Sequence, residues 1–282
     1  MKICATIPEA RAACRDARAG RKRVVALVPT MGALHEGHLS LVRAAKAQCD
    51  AVAVSIFVNP TQFGPTEDLS KYPRQFDRDC QLLEKEGVDI LFAPSVDEIY
   101  PDGAVTWVLV EGLSEKLDGR SRPGHFRGVA TIVAKLFNII EPDAAFFGQK
   151  DAAQLAVIRR MVRDLNFPVE IVACPIVRES DGLAMSSRNA YLNREERGRA
   201  LVLRRSLRQV QREFQGGERI AAKLISAAKE VFAREPQVAL DYFEIVDPDT
   251  LDPVERISQK TLVAVAAYVG STRLIDNTVL NC

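Results

Sequence analysis

The chain has 282 residues, enough for one large domain or two modest ones around a sizeable core. Its 38 basic residues against 37 acidic ones leave a formal net charge of +1, without the basic excess that non-specific nucleic-acid binding draws on. No apolar run approaches the length of a membrane span, and Arg11, Arg15, Asp16 and Arg18 interrupt the region where a secretory signal would be apolar, so a cytoplasmic protein is expected.

Helix and strand patterns alternate through the first two-thirds of the chain. Pro8–Ala19 reads as a helix that opens on Pro and stops before Gly20, followed by the charge cluster Arg21-Lys22-Arg23, most simply a solvated one. Strands are expected at Val24–Val28, Ala51–Val58, Asp89–Ala93, Trp107–Val110, Ala144–Phe147 and Val169–Ala173. Several lack two-residue alternation, as strands covered on both faces of a parallel sheet do. Helices are expected at Leu39–Ala47, Phe76–Glu86, Gly128–Ile140 and Asp151–Leu165, the last three ending at Gly87, Glu141-Pro142 and near Pro168. The pattern predicts a Rossmann-like, doubly wound α/β sheet with ligands at the carboxyl ends of its strands.

The texture changes after Cys174-Pro175. A charged helical region, Asn193 to about Phe232, precedes two β-like segments, Leu240–Val246 and Thr261–Val269, separated by Asp- and Pro-bearing turns. Residues 1–175 are therefore expected to form the Rossmann-like domain, and 176–282 a smaller α+β C-terminal domain. Cys4, Cys14, Cys49, Cys80, Cys174 and Cys282 form no CxxC pair and no zinc-finger spacing, so they read as reduced thiols.

The most informative segment is Pro29-Thr30-Met31-Gly32-Ala33-Leu34-His35-Glu36-Gly37-His38. It follows the first strand run and opens an amphipathic helix, the layout in which backbone N–H groups at a helix start meet a phosphate chain. Two of the chain's three histidines lie here, three residues apart. Zinc would need further ligands, and none is near in sequence; Mg²⁺ arriving with a nucleotide needs few dedicated ones. The GxGxxG fingerprint of dinucleotide-binding folds is absent from this turn.

Four further clusters stand at strand ends or near the proposed domain junction. Asn59 and Gln62, after the second strand run, can hydrogen-bond a polar organic substrate. Arg122–Gly128 is a Gly-bearing loop in which His125 is either functional or a lone surface residue. Phe147-Gly148-Gln149-Lys150-Asp151 opens the helix that contains Gln154; Lys150 offers a compact cation and Asp151 either an acceptor for ribose hydroxyls or a helix cap. Arg178–Asn189 reads as a mobile loop or a solvated linker, in which Ser186, Ser187 and Arg188 can clasp phosphate oxygens.

With these residues in view, the chain resembles the pantothenate synthetase (pantoate–β-alanine ligase) family over essentially its whole length. The resemblance is carried by PTMGALHEGH, SIFVNPTQFG, DLSKYPR, RPGHFRGV, FFGQKDAAQ and SRNAYL. The first block is a version of the HxGH signature shared by nucleotidylyl transferases and class I aminoacyl-tRNA synthetases, and Met185–Arg188 resembles their mobile phosphate loop. The combination with FVNPTQFG and FGQKD is specific to the one family.

The resemblance implies a two-step ATP-dependent ligation of pantoate to β-alanine through pantoyl adenylate, releasing pyrophosphate and AMP. It implies that Met31, Gly32, Ala33, Leu34, His35, Glu36, Gly37 and His38 line the ATP site, with Gly148, Gln149, Lys150 and Asp151 at ribose and phosphates. Val177 is then an adenine-side backbone contact, and Met185, Ser186, Ser187 and Arg188 close over the nucleotide. His38, His35, Lys150 and Arg188 would be the catalytic groups, His38 as proton donor, while Gln62 and Gln154 hold pantoate in a pocket ordered by Asn59. It also implies Mg²⁺, with Asp79 a weak candidate ligand because Arg78 replaces a neighbouring acid, and a homodimer with no nucleic-acid or membrane partner. The competing readings are another HxGH adenylyltransferase and a non-catalytic adenine-nucleotide sensor.

Overall fold

The computed structural model of the protein describes residues 1–19, 24–65 and 67–282; Gly20 and the Arg21–Arg23 cluster lie outside them. The first half contains, in order, β1 (Lys2–Cys4), α1 (Ile7–Arg18), β2 (Val25–Thr30), α2 (Glu36–Gln48), β3 (Ala51–Ile56), α3 (Phe76–Lys85) and β4 (Ile90–Phe92). Then come the short α4 (Val96–Ile99) and α5 (Asp118–Ser121), followed by α6 (His125–Ile140), β5 (Ala144–Gly148), α7 (Ala152–Asp164) and β6 (Glu170–Cys174). All six strands pair in parallel in the order β1-β4-β3-β2-β5-β6.

Alternation along the central strands explains how the sheet is buried on both faces. Val25 and Leu27 of β2 and Ala51 and Ala53 of β3 pack with Ala10, Ala13 and Cys14 of α1 and with α6 and α7. Ala26 and Val28, with Val52 and Val54, face the opposite way, onto Leu41, Val42 and Ala45 of α2 and Leu83 of α3. Successive strand residues point to opposite faces, so an unbroken apolar run is what a two-sided core requires.

The strand order places the site. From β2 the chain moves outward to β3 on one side, and later returns to add β5 on the other side of β2. The connections thus part between the carboxyl ends of β2 and β5, and an open α/β sheet leaves its crevice there. Thr30 and Gly148 end these two strands.

Beyond β6 the chain forms α8 (Arg194–Gln215), α9 (Ala221–Ala233) and an antiparallel sheet of β7 (Val238–Val246), β8 (Thr261–Val269) and β9 (Thr272–Leu280). Val263, Val265 and Ala267 pack on Leu203, Leu207 and Val210 of α8 and Leu224 and Phe232 of α9. Leu262, Ala264 and Ala266 face the other way and join the core of the parallel sheet through Tyr242 and Val246.

The α/β class with a small α+β C-terminal part holds, one expected strand is absent, and two strands go beyond the pattern. Residues 107–110 are not a strand. They show the two-residue alternation of one, with Val108 and Val110 against the core and Trp107 and Leu109 exposed, but pair with no strand among the described residues. Strands β1 and β9 were not anticipated, the first because three residues carry no periodicity and the second because its pattern is interrupted by Arg273, Asp276 and Asn277. Arg178–Asn189 is more ordered than a linker: Arg178 bridges Ala184, and Ser187–Tyr191 forms a 3₁₀ turn.

Candidate active site

A cavity of about 230 Å³ opens at the crevice between β2 and β5. Among the residues named from sequence, Met31, His35, Gly37, His38, Asn59, Gln62, Gly148, Lys150, Asp151, Gln154, Val177, Met185, Ser186, Ser187 and Arg188 line it. Gly32, Ala33, Leu34, Glu36 and Gln149 do not. Gly32, Ala33 and Leu34 are buried behind the turn, and Glu36 is exposed and paired with Arg43. Gln149 is turned toward β9, where its amide meets Asn277 at 3.4 Å.

The turn after β2 is shaped by Asp79 of α3. Its Oδ2 accepts the Ala33 N–H at 2.8 Å and its Oδ1 the Leu34 N–H at 2.9 Å. Gly32 and Ala33 both sit at positive φ, +80° and +50°, a conformation whose two exposed N–H groups need such an acceptor. Burial pushes the Asp79 carboxyl up, against the pull of these two N–H groups. Each of its oxygens thus serves the turn, and Asp79 is not among the residues that line the cavity.

The two histidines build the start of α2. His35 caps the helix, its Nδ1 accepting the Gly37 N–H at 3.1 Å, while His38 Nδ1 accepts the His35 N–H at 3.3 Å. This is a capping box made of imidazoles in place of the usual hydroxyl and carboxylate. A Cβ at residue 37 would lie 2.8 Å from His35 Cε1, so the close ring needs the glycine. Each Nδ1 is an acceptor, which leaves Nε2 as the protonated nitrogen of each neutral ring. Burial, with the Lys150 charge behind it, pushes His35 down to about 4; burial and the neighbouring His35 push His38 down to about 3. At neutral pH both rings are uncharged N–H donors at a helix N-terminus.

Opposite them, Lys150 Nζ lies 3.4 Å from Asp151 Oδ1. Burial works against the charge on Asp151, but the Lys150 ammonium prevails and holds the carboxyl below its ordinary range. Arg188 is gripped by Asp68 through a fork, Nε to Oδ2 at 2.9 Å and Nη2 to Oδ1 at 2.8 Å. Ser187 meets the hydroxyl of Tyr72 at 3.4 Å.

The far wall of the cavity combines amides with apolar side chains. Asn59, 1% exposed, donates to Gln62 Oε1 and to the Gly128 carbonyl, both at 3.1 Å, and its Oδ1 accepts from Tyr100 at 2.9 Å. Gln62 Nε2 then faces, among the described residues, the Met31 sulfur, a weak acceptor. Phe57, Val129, Ile132, Val133 and Leu136 complete the wall.

His125 is a buried member of this network, not a surface residue. Its Nδ1 lies 2.8 Å from the Gln62 carbonyl oxygen and its Nε2 2.9 Å from Arg122 Nη1, which itself is held by Glu67. Burial, with Arg122 alongside, pushes His125 down to about 3, so the neutral ring donates from Nδ1 to the Gln62 carbonyl and accepts from Arg122. Glu67, Asp68, Tyr72 and Arg122 were not singled out as site residues from the sequence. Their partners lie 55 to 120 residues away, and the local signals were the DLSKYPR segment for Asp68 and Tyr72 and RPGHFRGV for Arg122.

Among the described residues there is no group of three or more His, Cys, Asp or Glu side chains that could hold a metal ion, and no helix is long and apolar enough to cross a membrane.

The comparisons with known proteins point to one family. The family model described as pantoate-beta-alanine ligase matches residues 2–279. The pantothenate synthetase of Acidobacterium capsulatum is 61% identical over 99% of this chain and 97% of its own length. That of Thermotoga neapolitana is 59% identical over 99% of this chain and 100% of its own. The crystal structure of pantothenate synthetase from Thermus thermophilus superposes with a TM-score of 0.93 at 48% identity, covering 99% of both chains. The pantoate-beta-alanine ligase of Francisella tularensis, solved in complex with beta-gamma ATP and beta-alanine, superposes with a TM-score of 0.81 at 34% identity, covering 99% of this chain and 97% of that one. With a family model spanning nearly every residue and full-length relatives near 60% identity, the chain belongs to the pantoate–β-alanine ligase family of enzymes.

Proposed function

We propose that the enzyme joins pantoate to β-alanine in two steps, with ATP as co-substrate. A pantoate carboxylate oxygen attacks the α-phosphorus, forming the adenylate as the bond to pyrophosphate breaks. The β-alanine amine then attacks the activated carbonyl, forming the amide and releasing AMP. The observation that carries this reading is that one cavity holds two unlike halves. One side has the donors His35, His38, Lys150 and Ser186–Arg188, suited to a triphosphate; the other has Gln62, Gln154 and Asn59 among apolar side chains, suited to a small acid with hydroxyl and methyl groups.

The donors act by holding charge as it moves onto the leaving pyrophosphate. Neutral His35 and His38 can donate from Nε2 without carrying their own charge through the reaction. Lys150 supplies the fixed cation, and Arg188 reaches the phosphates by leaving Asp68. Gly148 and Asp151 flank the ribose, Val177 offers its backbone to adenine, and Met185 borders the nucleotide. Gln62 exchanges its weak sulfur contact for a pantoate oxygen, with Gln154 beside it.

Mg²⁺ fits as an ion carried by the nucleotide. Asp151 is the one carboxylate among the described residues lining the cavity, so it is the residue that would hold the ion beside phosphate oxygens and water. Bound there, Mg²⁺ would neutralise part of the triphosphate charge.

We assign the ATP- and pantoate-holding unit to residues 1–175 and a lid with the C-terminal unit to 176–282, the Arg178–Asn189 loop shielding the adenylate from water. The cytoplasm suits the six free thiols. A homodimer suits residues 104–110, where Val105, Trp107 and Leu109 project outward from a strand-like segment without a strand partner among the described residues. A monomer in sedimentation at micromolar concentration would refute that assembly.

The test of function follows pyrophosphate, AMP and pantothenate with Mg-ATP and pantoate, with and without β-alanine. Pyrophosphate with pantoate alone, and AMP plus pantothenate only after β-alanine is added, is the expected result. Nucleotide binding without pyrophosphate would leave a sensor, and turnover with a phosphate acceptor an adenylyltransferase.

A further inference from the structure

The groups assigned to the triphosphate stand on two segments remote in sequence: Lys150 in the turn before α7, and Ser186–Arg188 in the loop after β6. Two neighbouring buried residues of β9, 3% and 2% exposed, hold both segments. Asn277 donates from Nδ2 to the carbonyl oxygens of Gln149 at 2.9 Å and Lys150 at 2.8 Å. Its Oδ1 accepts from the Gln149 amide at 3.4 Å, so the whole side chain is committed to the Lys150 turn.

Asp276 holds the other segment. It takes the Arg178 guanidinium in a fork, Oδ2 to Nη1 at 2.7 Å and Oδ1 to Nη2 at 2.9 Å. Arg178 Nη1 also reaches the Gly182 carbonyl at 3.2 Å, and Arg178 bridges Ala184, which closes a small hairpin. Met185 N–H then bonds the Val177 carbonyl at 3.0 Å, and the chain leaving that point is Ser186–Arg188. Asp276 Oδ1 accepts the Asn277 N–H at 2.8 Å, joining the two anchors. Neighbours on a strand project to opposite sides, so one strand serves two segments at once.

We propose that Asp276 and Asn277 are positioning residues that fix the Lys150 turn and the Ser186–Arg188 loop at one separation, so that both meet the same triphosphate. This rests on the functional reading above. Neither residue lines the 230 Å³ cavity, and their effect runs through the backbone they hold. A displacement of about 1 Å in a reacting geometry can lower a rate by about 10²-fold, so slack at either anchor reaches the first step.

The test compares full-length wild type, Asn277→Ala and Gln211→Ala by pyrophosphate release and thermal melting. Gln211 of α8 bonds Thr278, the next residue on β9, at 2.8 Å and controls for the integrity of that strand. Asn277→Ala is expected to lower kcat at least tenfold and raise the KM for ATP, with the KM for pantoate within twofold and a melting temperature like that of Gln211→Ala. Hydrogen exchange should quicken at residues 149–152 and not in β8. Wild-type kcat and KM in Asn277→Ala, or a KM for pantoate that rises as much as that for ATP, would overturn the proposal. If Asn277→Ala does not fold, Arg178→Lys tests the other anchor by the same kinetics, because it loosens the fork and leaves β9 unchanged, with exchange expected to quicken at residues 183–188. Wild type that releases no pyrophosphate would instead defeat the functional reading itself.

Discussion

Asparagine and glutamine at position 38 separate the two nitrogens of one imidazole. An asparagine amide matches the place of Nδ1, which accepts the His35 N–H at 3.3 Å; a glutamine amide matches Nε2, the nitrogen left to donate into the cavity. If His38 acts as a neutral donor, His38→Gln retains much of the first step while losing the helix cap, worth about 1 kcal/mol. His38→Asn then keeps the stability and loses the activity, as His38→Ala does, by about 10²–10³-fold. The alternative, a charged general acid, meets a large penalty in the free enzyme. With the ring pushed down to about 3, its imidazolium is present in only ~1 molecule in 10⁴ at pH 7, and recruiting it adds ~5 kcal/mol to the barrier. The assay is kcat/KM for pyrophosphate release between pH 5.5 and 9, which reports groups of the free enzyme. A falling limb centred near pH 6.5 in wild type that vanishes in His38→Gln, or a glutamine variant as inactive as the alanine one, would refute the neutral-donor argument.

Three further outcomes follow from distances and charges in the same region. A Cβ on Gly128 would stand 2.4 Å from the Thr61 carbonyl oxygen, so Gly128→Ala should push α6 off the Asn59–Gln62 turn, costing about 1–3 kcal/mol in denaturant unfolding and raising the KM for pantoate; unchanged values would show that the turn yields freely. Asp68 competes with a triphosphate for Arg188, and Asp68→Asn should tighten ATP binding several-fold in calorimetry; weaker binding would mean that Asp68 aims Arg188 instead. The folded chain holds His35, His38 and His125 at about 4, 3 and 3, against an ordinary value of 6.5. Unfolding below pH 6.5 therefore takes up protons that the fold refuses. The stability these neutral rings provide is complete above pH 6.5 and is lost as pH falls toward 3, at about 4 kcal/mol per pH unit near pH 5 for three protons. His125→Gln should flatten that slope by about a third, and an unaltered slope in acid titration of unfolding would contradict the burial argument.

What could be read from the sequence divides along the range of the interactions that define each part. The two-faced core of β2 and β3 shows as unbroken apolar runs, because burial on both faces is written in consecutive residues. The histidine pair shows for the same reason: a capping relation spans three residues. Residues 107–110 mislead because alternation records which side chains face inward and says nothing of whether a strand lies alongside to pair with. Asp79 misleads in another way. A carboxylate near the nucleotide motifs suggests a metal, whereas the contacts it makes here are to the N–H groups of Ala33 and Leu34, 46 and 45 residues earlier. Strand β9 is the most instructive case. Asp276 and Asn277 break its apolar pattern and so hide it, yet both are buried because their partners, Arg178 and the Gln149–Lys150 carbonyls, come from loops about 100 and 128 residues away. A buried polar pair carries a desolvation cost that only such partners offset. Where an apolar pattern fails inside a strand that nevertheless forms, the interrupting residues mark where distant segments are held, and here both segments carry groups assigned to the triphosphate.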